Sequence, residues 1–329
     1  MKWNNLLFFY CSDIIDYGEN MEKVLDKIEK ILSEIRKIII ILLIISIGLY
    51  FGFKKNVDNY IQKQILPKFI SYYGNDYYQN NNYEYFKENN NLVAYDREDV
   101  INILYTFINK GTENFTFYCD PNYFGCNSDI NELMESKDTI IYINDFVHPY
   151  NSFSNINASV KENKINVNIT KNYTNSDIIN LNNIIKEIIN ETITDNMTEK
   201  EKIKALHDYL IMNITYDTEY AEDINNNIKN DSDSNKATGA LIKNKAVCSG
   251  YSDALSIMLN YLGIKNIKIS NEIHVWNYVY VDNAWYHIDV TNDDYGDEIS
   301  TRFFLVNTDT IKYDNKHNFS KYVYSEFQR

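Results

Sequence analysis

The hydrophobic pattern of the C-terminal third of the chain predicts a helix that begins next to a cysteine. Apolar side chains recur at three- and four-residue spacing, as on one face of a helix, at Tyr251, Ala254, Leu255, Met258, Leu259 and Leu262. Gly263 is expected to end this helix. Cys248 therefore lies at a predicted helix N-terminus, where unpaired N–H groups and the helix dipole favour a thiolate. A buried, inert cysteine is the alternative interpretation.

A second pattern, rich in β-branched and aromatic residues, predicts a β-hairpin after this helix. Residues 272–281 form the first strand and residues 284–290 the second, joined by a two-residue turn at 282–283. The register counted from this turn places Asp289 diagonally beside His274 on the same face of the hairpin. The hairpin therefore brings an imidazole and a carboxylate within reach of each other.

These three side chains have the chemistry of a nucleophile, a base and an orienting group. Cys248 would attack a carbonyl carbon, and His274 would pair with the thiolate and later protonate the leaving amine. Asp289 would fix the tautomer of the imidazole and stabilise its charged form. His287 lies on the same face as Asp289 and is the second candidate base. The alternative interpretation is that His274 and Asp289 are ordinary polar residues of a hairpin.

Three segments of the chain carry a resemblance to a known family. They are residues 237–254, His274-Val-Trp-Asn277, and Trp285-Tyr-His-Ile-Asp-Val-Thr291. In order and spacing they resemble the transglutaminase-like superfamily, in its bacterial branch, over roughly residues 198–310. The resemblance implies an α+β fold with a papain-like core, in which a Cys-bearing helix packs on an antiparallel sheet. It also implies a catalytic triad made of Cys248, His274 and Asp289.

The activity implied by the resemblance is acyl transfer at an amide carbonyl through a thioester on Cys248. Water as the acceptor would make the protein a peptidase or amidase, and a lysine amine would make it a cross-linking transglutaminase. Hydrolysis of protein or cell-wall peptides is favoured for the bacterial branch. A tethered binding module with an unused triad is the remaining alternative. We predict no cofactor and no metal.

The N-terminal part of the chain predicts a membrane anchor. Residues 1–37 contain an amphipathic helical pattern that leads into residues 38–53, an uncharged apolar segment flanked by basic side chains. This segment is shorter than the roughly twenty residues that span a bilayer, but flanking cations can snorkel to the interface. It lacks a small-x-small cleavage site, which favours a retained anchor. The distribution of Lys and Arg favours a cytoplasmic N-terminus and an outward-facing catalytic domain.

The remaining segments predict the domain organisation. Residues 54–96, rich in Tyr and Asn, are interpreted as a stalk, residues 97–175 as a small α/β domain, and residues 176–329 as the catalytic domain. The capping-box pattern at Thr198 predicts a helix start. Residues 302–306 are predicted to form a final core strand.

Charge and cysteine usage restrict the partners and the compartment. With 46 acidic and 32 basic residues the formal charge is −14, which argues against a nucleic-acid partner. Cys119 and Cys126 flank a turn-prone segment and can form a disulfide outside the cell. The carboxylates of residues 292–298 are interpreted as a solvated loop, because their spacing does not match an EF-hand loop, and a calcium site is the alternative interpretation.

Overall fold

The computed structural model describes residues 25–49, 52, 60, 74–77, 86–228, 232–296 and 298–319. The chain divides into two units, residues 1–61 and 62–329. In the first unit, residues 25–49 are helical and exposed. None of the helices in the described ranges has both the length and the apolar character needed to cross a membrane. The anchor over residues 38–53 stays a prediction, since its residues 50, 51 and 53 lie outside the described residues, as does most of the predicted stalk.

The second unit begins with a four-stranded sheet in the order β1-β2-β4-β3. β1 (Val93–Ala94) is parallel to β2 (Asn114–Cys119), and β4 (Lys164–Lys171) is antiparallel to β2 and to β3 (Phe153–Lys161). In β4 every second side chain is buried, as in a strand with one face in the core.

Three helices accompany this sheet: α1 (Arg97–Asn109), α2 (Cys126–Glu135) and α3 (Lys137–Phe146). The disulfide proposed from the sequence is present, since Cys119 at the end of β2 is bonded to Cys126 at the start of α2. It closes the turn that leads from the sheet to the helix.

Helices dominate the next segment of the chain. Both α4 (Asn175–Thr192) and α5 (Glu199–Asn213) begin with a complete capping box, the first at Thr174 and the second, as predicted, at Thr198. The short helices α6 (Thr218–Asn225) and α7 (Ala237–Ile242) follow, and α8 (Cys248–Tyr261) begins at the cysteine. Two short parallel strands, β5 (Thr215–Tyr216) and β6 (Lys245–Ala246), lie just before α8.

A three-stranded antiparallel sheet completes the fold, in the order β7-β8-β9. Its strands are β7 (Asn266–Ser270), β8 (Val275–Val281) and β9 (Ala284–Ile288). The predicted hairpin register is confirmed by the pairing of Val281 with Ala284. Both turn residues, Asp282 and Asn283, have positive φ, as a tight two-residue turn requires. The short helices α9 (Val290–Asp293) and α10 (Thr308–Ile311) follow, and residues 315–317 form a 3₁₀ turn.

The hairpin sheet is buried on both faces. Trp276 and Tyr278 belong to a hydrophobic cluster that includes the core of the four-stranded sheet. Val279 and Val281 point to the opposite face, into a second cluster formed with α4, α5 and α8. The strand that follows His274 is therefore fixed from both sides by the packed core.

The predicted strand over residues 302–306 is wrong. Among the described residues, this segment pairs with β9 through a single bridge, between His287 and Val306. Leu305 has φ +50°, in the left-handed region, which an extended strand cannot accommodate.

A buried ion pair joins the Cys-bearing helix to the sheet. Lys268 on β7 donates to Asp253 on α8 over 2.6 Å, and both side chains are at most 9% exposed. The other carboxylate oxygen accepts from the Tyr173 hydroxyl, also over 2.6 Å. The phenol in turn accepts from the N–H of Ala237 on α7. One carboxylate thus ties α8 to β7 and to the segment after β4.

We predict that Lys268→Met destabilises the protein by about 3–5 kcal/mol, because it leaves the Asp253 charge buried without its cation. Urea unfolding curves measure this change. Lys200→Met, which removes the exposed partner of Asp282, is the control and should leave the midpoint nearly unchanged. Equal effects of the two substitutions would contradict the assignment.

Candidate active site

Cys248 is the first residue of α8 and is partly exposed to solvent. The residue before it, Val247, has extended backbone and occupies the N-cap position. The first N–H groups of an α-helix have no acceptor within the helix, and they carry the positive end of the dipole. The thiol therefore lies where negative charge on sulfur is stabilised and where a ligand can reach it.

The start of α8 is held in place by close backbone packing. Val247 donates its N–H to the carbonyl of Ser234 over 2.8 Å. A Cβ on Gly250 would lie 2.5 Å from the same carbonyl oxygen, so only glycine permits this approach. Asp217 accepts from the Ser234 hydroxyl and pairs with Lys245, which joins β5 to β6 just before the cysteine.

α8 is also bonded directly to the strand that follows the histidine. The Ser252 hydroxyl donates to the carbonyl of Val275 over 3.0 Å. The Asn277 amide donates back to the carbonyl of Ser252 over 2.9 Å. Because these bonds connect the helix and β8 close to both side chains, the geometry between Cys248 and His274 is fixed.

His274 lies between the thiol and a carboxylate. Its Nε2 lies 2.6 Å from Oδ2 of Asp289, and because a carboxylate only accepts, the ring nitrogen donates. The side chain of Cys248 acts on the same imidazole and raises its pKa. The structure thus brings together all three residues predicted from the sequence.

The charges around His274 favour its protonated form. Burial lowers the pKa of the imidazole, but the charge and hydrogen bond of Asp289 outweigh it, with a smaller contribution from Cys248. The net result raises the pKa of His274 to about 10. The imidazolium beside the sulfur therefore persists through neutral pH.

Asp289 is buried, with 1% exposure, and still ionised. Burial alone raises the pKa of its carboxyl, but the charge and hydrogen bond of His274, with hydrogen bonds from His317 and Asn292, hold that pKa well below its usual range. Asp289 also accepts from the N–H of Asn292 and so caps α9. One oxygen therefore starts a helix and the other faces the imidazole.

Two contacts of Asp289 were not anticipated from the sequence. The Asn292 amide donates to Oδ2 over 2.6 Å, and His317 Nε2 lies 2.7 Å from the same oxygen. Asn292 follows the carboxylate by three residues, so an Asx-type cap was a detectable signal. His317 lies in a segment without apolar periodicity, and nothing in the sequence pattern places it near the site.

The second candidate base, His287, belongs to a different network. It is fully buried, and its Nδ1 accepts from Nε1 of Trp276 over 3.0 Å. Its Nε2 lies 3.1 Å from the Thr308 hydroxyl. Burial, followed by the charges of His317 and Lys312, lowers the pKa of His287 to about 3, so the ring is neutral. His287 serves the packing of β9 against α10 rather than the thiol.

Other polar residues near the site have structural partners. His207 on α5 is fully buried, with its ring nitrogens 2.9 Å from Asp208 and 3.2 Å from Asp293. Asp293 also accepts from the N–H of Phe303, and Asp294 accepts from the Tyr251 hydroxyl. Both carboxylates therefore accept hydrogen bonds from protein donors. Residue 297 of the same loop lies outside the described residues.

Across the described ranges, one group of side chains has metal-ligand chemistry at suitable spacing, namely His274, Asp289 and His317, with ligand atoms within 4.8 Å of one another. Both imidazoles lie at hydrogen-bond distance from a single oxygen of Asp289. Asp289 and His317 are at most 1% exposed. The contacts are those of a hydrogen-bonded carboxylate between two rings.

Comparison with known proteins relates one segment of the chain to a known family. Residues 186–290 match the family model of the transglutaminase-like superfamily, so the chain contains a transglutaminase-like core. No curated protein sequence matches it.

Two solved structures are similar to part of the chain. One is a TGase, with 20% identity and a TM-score of 0.34, in which the match covers 43% of this chain and 45% of the other. The second is a candidate cysteine protease from Cytophaga hutchinsonii, with 13% identity and a TM-score of 0.26, covering 42% of this chain and 62% of the other. The chain therefore spans less than two thirds of either structure.

We predict that the stability conferred by His274 depends on pH. Because the imidazole has a pKa of about 10 in the fold, above its unfolded value of about 6.5, its contribution is fully present below pH 6.5 and is lost as pH rises through 10. The free energy of unfolding should fall over this window, on the order of a few kcal/mol at most. Urea unfolding from pH 6 to pH 10 measures it. The difference between wild type and His274→Gln isolates this group, and a difference independent of pH would refute the pairing.

Proposed function

We propose that this chain, whose residues 186–290 form a transglutaminase-like core, is a thiol enzyme that transfers acyl groups from amide carbonyls. The observation that carries the proposal is the position of His274, whose Nε2 lies 2.6 Å from the carboxylate of Asp289 and whose pKa is also raised by the side chain of Cys248. A partly exposed sulfur at a helix start completes the arrangement of nucleophile, base and orienting group.

In the first half-reaction, the Cys248 thiolate attacks the carbonyl carbon of the substrate. A C–S bond forms, and the π electrons of the carbonyl move to its oxygen. The N–H of Cys248 at the start of α8 is the backbone donor available to that oxyanion. As the tetrahedral intermediate collapses, the C–N bond breaks and the His274 imidazolium gives its proton to the leaving amine. A thioester and a neutral imidazole remain.

The second half-reaction uses the same residues in reverse. Neutral His274 takes a proton from the acceptor, which attacks the thioester carbon, and the C–S bond breaks to restore the thiolate and the imidazolium. Water as the acceptor yields a carboxylic acid, and a primary amine yields a new amide. Asp289 keeps the imidazole oriented in both directions.

We propose hydrolysis of peptides, in proteins or in the cell wall, as the physiological reaction, with amine transfer as the competing one. Tyr216 supports a peptide-sized substrate. This side chain is 40% exposed on β5, beside the strand that leads into Cys248. Burial, and after it the charges of Cys248, Asp217 and Asp289, raise the pKa of Tyr216. An aromatic surface there suits an acyl donor with neighbouring side chains.

We predict that Cys248→Ala abolishes turnover of an amide donor while the far-UV circular dichroism and the unfolding midpoint stay unchanged. The assay presents a peptide library as acyl donor, with and without an added primary amine, and identifies the products by mass spectrometry. Free carboxylate as the main product supports hydrolysis, and a new amide supports cross-linking. Activity retained by Cys248→Ala would refute the mechanism. Wild type inert towards every donor would favour a binding module.

We also propose that the second unit, residues 62–329, which carries the triad and is here named the catalytic unit, faces outward. It would be tethered to the membrane through residues 38–53. Two observations support this location. The Cys119–Cys126 disulfide is of a kind that persists in oxidising compartments. In addition, Ile38 to Leu49 is an uncharged helical segment whose large apolar side chains are about half exposed, each 50–62%. An aqueous environment makes such a surface unfavourable.

We predict that the full-length chain stays in the membrane pellet after a carbonate wash and that its catalytic unit is digested by protease added to intact spheroplasts. Ile41→Lys with Ile44→Lys should release the chain to the soluble fraction, since a lysine at the centre of a spanning helix costs about 2.5–3.5 kcal/mol. Lys27→Gln is the control and should remain in the pellet. Wild type in the soluble fraction would end the tethering proposal.

A further inference from the structure

The Asp289 carboxylate has a partner from outside the family-matched segment. His317 lies 28 residues beyond Asp289, and its Nε2 is 2.7 Å from Oδ2. This is the oxygen that accepts from Nε2 of His274. Since a carboxylate only accepts hydrogen bonds, both imidazoles donate to it. His317 is completely buried, so the contact is formed away from solvent.

The His317 ring is held firmly by its own segment, residues 314–319, here named the C-terminal strap. The Asp314 side chain accepts from the N–H of Lys316, and the carbonyl of Asp314 accepts from the N–H of His317, which shapes the 3₁₀ turn. The ring lies edge-on to Trp276, with centroids 4.9 Å apart, and against Phe303 at 4.7 Å. Its Nδ1 faces the Asp314 carboxylate at 3.4 Å.

The same strap holds the loop that carries His274. The Asn271 amide donates to the carbonyls of Lys316 and Asn318, over 2.8 and 2.9 Å. The amide oxygen of Asn271 accepts from the backbone N–H groups of Ile273 and His274. The strap therefore contacts the carboxylate through His317 and the imidazole loop through Asn271. The strap therefore links Asp289 and His274, the two side chains that must stay aligned with each other.

We propose that His317 is a positioning residue for the acyl-transfer site, holding Asp289 ionised and turned towards His274 by an Nε2–H hydrogen bond. The inference rests on the proposed function and goes beyond it, because it adds a residue of the C-terminal strap to the acyl-transfer site. A buried carboxylate keeps its charge only when its lone pairs are satisfied. Without the His317 donor, Asp289 would bind a proton at higher pH and would hold the imidazolium less firmly.

Several titratable groups surround this pair and enter any pH profile. They are His274 on the β7–β8 loop, Cys248 on α8 and Tyr216 on β5 near Asp289, and Asp314 and His287 near His317. A single variant profile therefore does not isolate the contact. The test compares two substitutions at position 317 that differ in one property, the presence of a donor.

The matched variants are His317→Leu, which has no donor, and His317→Gln, whose Nε2 can occupy the place of the imidazole Nε2–H. We expect His317→Leu to lower kcat by roughly 10- to 100-fold, the range for losing a hydrogen bond to a charged group. KM should stay unchanged, because the residue does not touch substrate. The acidic limb of the kcat/KM profile should move to higher pH in His317→Leu and return towards wild type in His317→Gln. Tyr313→Ala, 90% exposed just before the strap, is the control and should behave as wild type.

A second readout does not depend on turnover. The rate of Cys248 alkylation by iodoacetamide, followed by mass spectrometry from pH 4 to pH 9, reports the thiolate directly. We expect His317→Leu to lose alkylation rate at acidic pH and His317→Gln to recover it. If His317→Leu does not fold, His317→Asn, whose amide is too short to reach Asp289, takes its place.

The two readouts distinguish a failure of the positioning role of His317 from a failure of the proposed function. Leu and Gln variants with the same alkylation profile, whether both normal or both impaired, would overturn the positioning role. Wild type without turnover but with the expected Leu and Gln difference would overturn the proposed function and leave the role of His317 standing.

Discussion

The buried negative charge of Asp289 is the constraint on which the site depends. Removing a carboxylate from water is costly, and the cost is offset only where cations and donors replace the lost hydration. Here the replacement comes from three chain segments: His274 before β8, Asn292 on α9 and His317 on the C-terminal strap. Because the three donors converge on one oxygen, the charge of Asp289 determines where each of these segments can lie.

A second buried carboxylate has the corresponding role for the helix that carries the thiol. Asp253 lies on the same helix as Cys248 and is neutralised by Lys268 and the Tyr173 hydroxyl. The two charges thus fix the two components separately, since Asp253 holds the helix that carries the sulfur and Asp289 holds the imidazole. Hydrogen bonds between Ser252, Val275 and Asn277 then fix the distance between the components. A precise site results from polar contacts that the packed core surrounds.

Local signals in the sequence were sufficient for the elements that carry the triad. The helix at Cys248, the capping box at Thr198 and the turn at residues 282–283 each depend on neighbouring residues, and each prediction is confirmed. The proximity of His274 and Asp289 was expected from an extended ladder, yet β8 begins at Val275 and β9 ends at Ile288. The two side chains meet just beyond the ladder, where Asp289 turns the chain into α9. The strand predicted over residues 302–306 was wrong because the left-handed backbone of Leu305 is not visible in a hydrophobic pattern.

His317 shows why the rest of the site could not be predicted. Its position depends on a return of the chain after α10 that no periodicity encodes, and on ring contacts with Trp276 and Phe303 that exist only in the folded core. The dual role of Asp289 sharpens the interpretation of any substitution there. Asp289→Ala removes the cap of α9 together with the carboxylate, whereas Asp289→Asn retains an oxygen for the cap and replaces the charged acceptor Oδ2 by an amide NH2, which only donates. A loss of function common to both variants therefore comes from the loss of the charged acceptor Oδ2, which separates orientation of the imidazole from the helix cap.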